Sequence, residues 1–238
     1  MNESDRNTIN VGDITLSYYR KGNGKKALIL LHGNSENAKI FSDYLNTVSE
    51  DYKAYAIDLR GHGKSQWGEG NFTIKTMAID IMRFINQKPF DKVSIVGFSD
   101  GANIAMYLAK IAPELIDKLV LISGNLFVKA LAKPFFYKIR FRYKLNKPFG
   151  YIIKRARLRA TKMALMLDNI GVYPDDLNNF DFPVLVIDAQ NDLIAKEHTS
   201  LIVRSIPNAK HITIEGADHF TIMKNPRLFE AVNQFLNQ

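Results

Sequence analysis

Ser99 is the residue best placed to do chemistry in this chain. It sits in Gly97-Phe98-Ser99-Asp100-Gly101, a G-x-S-x-G element. Residues 93–96 before it read as a buried strand, and residues 102–109 after it as the start of a helix. That strand–turn–helix context is what a nucleophile elbow requires. The turn is too sharp for ordinary side chains beside the serine, so glycine stands at both flanks. Ser99 is thereby presented at the carboxyl end of a strand and the amino end of a helix. Unpaired N–H groups and positive potential there favour a developing oxyanion. Taken alone, the same residues also describe a glycine-rich turn with Ser99 as a helix cap.

A free hydroxyl attacks poorly and needs a base to take its proton. His219, in Gly216-Ala217-Asp218-His219-Phe220, follows a strand and precedes the last helix. Imidazole titrates near neutrality, so it can accept that proton and return it to a leaving group. A carboxylate must then hold the imidazole in the right tautomer. Asp188 and Asp192 follow a late strand, and Asp218 adjoins the histidine. Neighbours in sequence rarely reach the geometry required, which disfavours Asp218.

The elements that must position these groups alternate along the chain. Residues 8–11 and 14–19 are β-prone runs around Gly12-Asp13, as in an antiparallel hairpin. Residues 27–31 form a continuous apolar run, the mark of a strand covered on both faces, and end in His32-Gly33-Asn34-Ser35. A helix is predicted over 38–49. A strand over 53–57 runs into Asp58-Leu59-Arg60-Gly61-His62-Gly63-Lys64-Ser65. Met77, Ile81, Phe84 and Ile85 share one stripe of a helix over 74–85. Strands are expected at 119–122, 183–187 and 211–214, and helices at 195–205 and 226–236. Strands alternating with helices imply a mostly parallel sheet in three layers.

These motifs, in this order, resemble the α/β-hydrolase superfamily in its serine-esterase-like branch. The matching residues are His32-Gly33, the Asp58–Ser65 loop, the serine elbow, Asp192 and His219. The likeness runs from about residue 10 to the end, apart from a middle segment. It implies a three-layer α/β fold with a mostly parallel eight-stranded sheet, and the order Ser, acid, His is the one this fold uses. By the same resemblance Ser99 is the nucleophile, His219 the base and Asp192 the acid, while Asp188 shapes its loop. The backbone N–H groups of Asn34 and Asp100 form the oxyanion hole. His32 and His62 then orient turns, and Arg60 pairs with a carboxylate. His198 and His211 are expected at the surface. Haloalkane and epoxide chemistry is disfavoured, since in this fold those reactions use a carboxylate at the position of Ser99.

The implied activity is cleavage of a carboxylic ester, or a related thioester or amide, through an acyl-enzyme. No metal or cofactor is expected. The alternatives are a ligand-binding or signalling protein on the same scaffold, and a membrane-associated lipase. The side chain of Asp100 has two readings: an acidic group favoured by the helix end, or a carboxylate that attracts a cationic substrate.

Composition narrows the setting. The 238 residues suit one large α/β domain, and the chain contains no cysteine, which removes disulfides and thiolate chemistry. No secretory signal or membrane-length apolar run is seen, which points to the cytoplasm. The net charge of +8 is concentrated between residues 125 and 162, which carry seven Lys and five Arg with no Asp or Glu. This stretch begins an inserted cap over 125–180, dividing a core domain of 1–124 and 181–238. Residues 138–145 alternate charged and apolar, which suits a strand, whereas caps in the resembled family are helical, and the helical form is the one expected. The basic charge is read as a solvated outer face, as steering for acidic substrates, or as a weak contact with anionic membrane. No nucleic-acid partner is expected, because no binding motif accompanies the charge. No motif encodes the acyl group, the alcohol group or the oligomeric state.

Overall fold

The computed structural model describes residues 6–69 and 72–238. Eight strands form one sheet: β1 (Arg6–Asn10), β2 (Thr15–Lys21), β3 (Lys26–Leu31), β4 (Tyr52–Asp58), β5 (Val93–Phe98), β6 (Ile116–Ile122), β7 (Val184–Asn191) and β8 (Lys210–Asp218). Their spatial order is β1-β2-β4-β3-β5-β6-β7-β8. β1 and β2 pair antiparallel, β2 pairs antiparallel with β4, and all later neighbours are parallel. The apolar runs sort by the two-residue period of a strand. Ile29 and Leu31 face one buried cluster, and Leu28 and Leu30 face the other. The sheet is therefore sandwiched between two helical layers, the three-layer order expected.

The first layer contains α1 (Ile74–Asn86) and α2 (Asp100–Ile111). Met77, Ile81, Phe84 and Ile85 are buried on α1, whose first turn is capped by Thr73 accepting from the Thr76 N–H at 3.2 Å. α6 (Lys196–Ser205) packs its Ile202 into the same cluster. The second layer contains α7 (Pro226–Leu236), where Leu228, Val232 and Phe235 are buried.

Residues 38–49 depart from expectation. They form two short 3₁₀ turns, Ala38–Phe41 and Tyr44–Asn46, and no α-helix. The Ser42 hydroxyl donates to Lys39 O at 2.7 Å and the Thr47 hydroxyl to Tyr44 O at 2.8 Å. These local bonds compete with the helical ladder.

Between β6 and β7 lie α3 (Lys133–Phe149), α4 (Lys154–Leu165) and the single turn α5 (Pro174–Leu177). Residues 138–145 are therefore helical, as the resemblance implies and against their local alternation. On α3 that alternation feeds two faces: Ile139 is buried and Tyr143 half-buried, while Phe141 and Leu145 are exposed. Alternation signals a strand only when a single face is covered.

Candidate active site

The elbow explains both of its glycines. Ser99 adopts φ 53° and ψ −118°, a sparsely populated conformation for a residue with a side chain. A Cβ on Gly97 would strike the backbone of Gly101, and a Cβ on Gly101 would strike the backbone of Leu31. The strand and helix therefore close on each other only with glycine at both places. Ser99 is held between them by its N–H bond to Ile122 O at 2.8 Å.

Three side chains meet at this turn. Ser99 Oγ lies 3.2 Å from His219 Nε2, and His219 Nδ1 lies 2.7 Å from Asp192 Oδ1. Asp192 comes from the loop after β7 and His219 from the loop after β8. The Asp192 carboxylate accepts further from Ser123 Oγ at 2.5 Å and from the N–H groups of Ala189 and Ile194, both at 3.1 Å. Burial pushes this carboxyl up, but the bonds from His219, Ser123 and Ala189 outweigh it and leave it below the usual carboxylate range. A fixed anion thus faces the imidazole nitrogen remote from Ser99. The arrangement can pass a proton from the hydroxyl to the imidazole while the carboxylate stabilises the resulting cation.

The loop after β3 passes beside the serine. A Cβ on Gly33 would stand 3.1 Å from Ser99 Cβ. The backbone N–H groups of Asn34 and Asp100 donate no hydrogen bond among the described residues. The loop is held by two buried histidines. His32 Nε2 accepts from the Leu59 N–H at 3.0 Å, and His62 Nε2 accepts from the Ser35 N–H at 3.1 Å. Both act as acceptors, so both rings are neutral there, and burial brings His32 down to about 4 and lowers His62 further. Arg60 pairs with Asp80 and Asp13 at 2.7 Å and stands in the core, away from the cavity.

Asp100 is buried, and its side chain belongs to a network. Oδ2 accepts from Asn34 Nδ2 at 2.8 Å, and Oδ1 from Asn103 Nδ2 at 3.4 Å. Asn34 Nδ2 also donates to Lys162 O on α4 at 2.8 Å, and Asn103 Oδ1 accepts from the Asn125 N–H at 2.8 Å. The Asp100 carboxylate therefore ties together the loop after β3, the elbow helix and the chain entering the insert. Burial raises its pKa, opposed by the bonds from Asn34 and Asn103.

A cavity of about 100 Å³ opens beside Ser99 and His219. The core contributes Phe98 from the end of β5 and Leu193, Ile194 and Phe220 from its loops, and the insert contributes Leu131, Phe135, Leu165 and Met166. Its lining includes two carboxylates, Asp100 and Glu36, and no Lys or Arg. Glu36 Oε2 accepts from the Gly33 N–H at 3.0 Å, and burial raises its pKa.

Ser123 and Glu36 were not legible as site residues. Each acts through a contact distant in sequence or across a tight turn, with no motif around it. His198 corrects an expectation, since it is buried and accepts from the Leu126 N–H at 2.9 Å, fixing the start of the insert. Its place one turn before Ile202 on the same helical face was the available signal. His211 is exposed and bonds Asp188 at 3.2 Å. Asp188 also accepts from Thr213 at 2.7 Å, so it ties β7 to β8. Asp218 accepts from the Phe220 and Thr221 N–H groups at 2.9 Å and caps the turn that carries His219.

The family model for the alpha/beta hydrolase fold matches residues 26–151, more than half of the chain. The chain belongs to the alpha/beta hydrolase fold family. A Haemophilus influenzae protein carrying an esterase/lipase name is 26% identical over 239 residues, spanning 89% of this chain and 83% of that protein. A pimeloyl-acyl-carrier-protein methyl ester esterase from Pectobacterium carotovorum is 31% identical over 111 residues, spanning 47% of this chain and 42% of that enzyme. A hydrolase from Pseudomonas aeruginosa superposes with a TM-score of 0.81 at 21% identity, each chain fully covered. That last likeness shows the fold alone. Among the described residues, no helix is long and apolar enough to cross a membrane.

Proposed function

We propose that this alpha/beta hydrolase is a serine hydrolase that cleaves a carboxylic ester through an acyl-enzyme. The observation that carries the reading is the line from Ser99 Oγ through His219 to Asp192, at 3.2 and 2.7 Å, on a strained elbow that faces a cavity. Ser99 Oγ attacks the ester carbonyl as its proton passes to His219 Nε2. The tetrahedral oxyanion is received by the N–H groups of Asn34 and Asp100. Collapse expels the alcohol, which takes the proton from His219. Water then attacks the acyl-enzyme with His219 again as base, and the acid leaves. Asp192 holds the imidazole and stabilises its cation throughout. The ester and esterase names of two relatives support the same bond class.

The cavity is small beside the several hundred Å³ of pockets that hold drug-sized ligands, and its walls are mostly apolar. Both features favour a short, uncharged acyl group. The reading is tested with a fluorophosphonate probe on wild type, Ser99→Ala, His219→Ala and Asp192→Asn. Labelling should vanish in Ser99→Ala and fall sharply in the other two. Turnover of p-nitrophenyl esters should then decline as the acyl chain lengthens. A folded wild type that neither labels nor turns over any ester defeats the proposal and brings the ligand-binding alternative forward.

A further inference from the structure

The insert presents a surface that the ester chemistry does not use. On α3, Tyr137, Phe141, Leu145 and Phe149 recur every four residues and are all more than half exposed. At 100° per residue they form one continuous apolar stripe. Arg140 and Lys144 lie along one side of it, and Lys138 and Arg142 along the other. The stripe runs into the turn between α3 and α4, where Tyr151 is 85% and Ile152 is 89% exposed. Beyond the turn α4 adds Lys154, Arg155, Arg157 and Arg159.

Two observations make this more than a solvated charged face. The exposed apolar side chains are concentrated here, with seven of the eleven large exposed hydrophobics falling between residues 137 and 153. The charge is also uncompensated: the segment contains no acidic residue, and none of its Lys or Arg side chains forms an ion pair among the described residues. A hydrated outer face would present the cations and bury the aromatics. Here only every second apolar residue of 138–145 turns inward, and the others are left outside among cations.

We infer that the α3–α4 hairpin is an interfacial anchor that seats on an anionic lipid surface. Its apolar stripe and Tyr151-Ile152-Ile153 tip enter the boundary between headgroups and acyl chains, and its cations meet lipid phosphates. An amphipathic helix with aromatic and aliphatic residues on one face and Lys and Arg beside them binds in this way, by apolar burial plus attraction to anionic headgroups. A groove between the helices, lined by Tyr143, Lys147, Tyr151 and Arg157, offers two cations to one headgroup phosphate. Tyr and Ile at the tip suit the polar–apolar boundary better than a nucleic-acid groove. The stripe runs from Tyr137 to Phe149 along α3, about 18 Å. Phe135, at the other end of α3, lines the cavity beside Ser99, so the anchor and the cavity share one helix. The inference stands on the surface and does not depend on the ester reading.

The test is co-sedimentation of the full chain with vesicles of phosphatidylcholine alone or mixed with phosphatidylglycerol. Binding is expected only to the mixed vesicles, and it should weaken as salt rises. Ile152→Asp and Phe141→Asp should each lower partitioning about tenfold, and Lys144→Gln about fivefold. Ile152→Leu should retain binding. Ile152 and Phe141 pack little of their surface against the protein, so the melting temperature should be unchanged, which separates lost binding from lost folding. Failure to bind phosphatidylglycerol vesicles overturns the inference, as does binding that survives Ile152→Asp and Phe141→Asp. Retention on an acidic protein or polyanion that ignores both apolar substitutions identifies a different partner and also overturns it. So does a dimer in sedimentation velocity that Ile152→Asp dissociates, because a second copy would then cover the face.

Discussion

The cavity and the insert treat charge in opposite ways. Around Ser99 the charged groups are acidic and each is engaged: Asp192 by four partners, Asp100 by Asn34 and Asn103, Glu36 by the Gly33 N–H. Between residues 125 and 162 the charged groups are basic and form no ion pair among the described residues, and large apolar side chains stand beside them in solvent. A buried carboxylate without partners would cost several kcal/mol, so fixed geometry and full hydrogen bonding go together in the first region. In the second, no carboxylate among the described residues balances the cations, although Lys154 and Arg157 lie over the Trp67 ring and burial lowers Lys162 to about 8. The difference separates side chains that hold a geometry from side chains that meet something else.

Substitutions can break this comparison or sharpen it. The largest effect belongs to the most engaged carboxylate. Asp192→Asn should lower kcat on a short ester about 10⁴-fold by inverting the hydrogen bond to His219. Ser123→Ala removes one donor to the same carboxylate, and it should cost about tenfold, a loss of the size of one hydrogen bond to a charged group. If both changes left kcat within twofold, engagement of Asp192 would have no link to turnover.

The next effect is on stability and comes from the buried imidazoles. His32 is brought from 6.5 down to about 4 by burial, and His198 likewise to about 4. Below pH 6.5 the unfolded chain binds protons that these folded sites refuse. The stability is therefore fully present above pH 6.5 and is lost as pH falls toward 4. His32 alone accounts for about 3 kcal/mol across that window. Thermal melts should be flat above neutrality and should drop steeply between pH 6.5 and 4, with a shallower slope in His198→Gln. A pH-independent melting temperature down to 4 would contradict neutral, buried rings.

A smaller effect tests Asp100. Its carboxylate could hold the loop that carries Asn34, or it could attract a cationic substrate from the cavity wall. Because it already accepts from two asparagines, Asp100→Asn should lower kcat by about tenfold on neutral and amino-acyl esters alike, the size of one lost charge-assisted hydrogen bond. A loss confined to amino-acyl esters would make the carboxylate a substrate contact. The smallest effect belongs to the insert's outer face, where Ile152→Asp should change neither melting temperature beyond about 1 °C nor short-ester turnover, since surface changes seldom exceed 0.5 kcal/mol.

The fold was legible because burial on both sides of a sheet writes itself locally. Residues 27–31 and 119–122 are continuous apolar runs, residues 93–96 are apolar but for Ser94, and α1 and α7 carry one clear stripe each. The elbow was legible for a related reason: two backbones approach so closely at Gly97 and Gly101 that only one residue type fits, and a steric constraint of that kind leaves a fixed pattern. Residues 38–49 misled because Ser42 and Thr47 bond back to the preceding turn, a choice that helical spacing does not display. Residues 138–145 alternate like a strand because α3 has two apolar faces, and sequence cannot say which of two faces is covered.

What the sequence determined by itself was the set of strands, the turn at Ser99 and the order of residues that could act with it. These follow from local rules of burial, sterics and spacing. The tertiary structure set Asp192 Oδ1 at 2.7 Å from His219, where the resemblance places the acid, and it alone decided that Ser123 supports that carboxylate and that Asp100 joins the loop after β3 to the insert. It also decided which side of α3 stays outside. Each of these depends on distances between segments far apart in the chain, and such distances are set by how the whole sheet and its helices pack, not by any neighbourhood of the sequence.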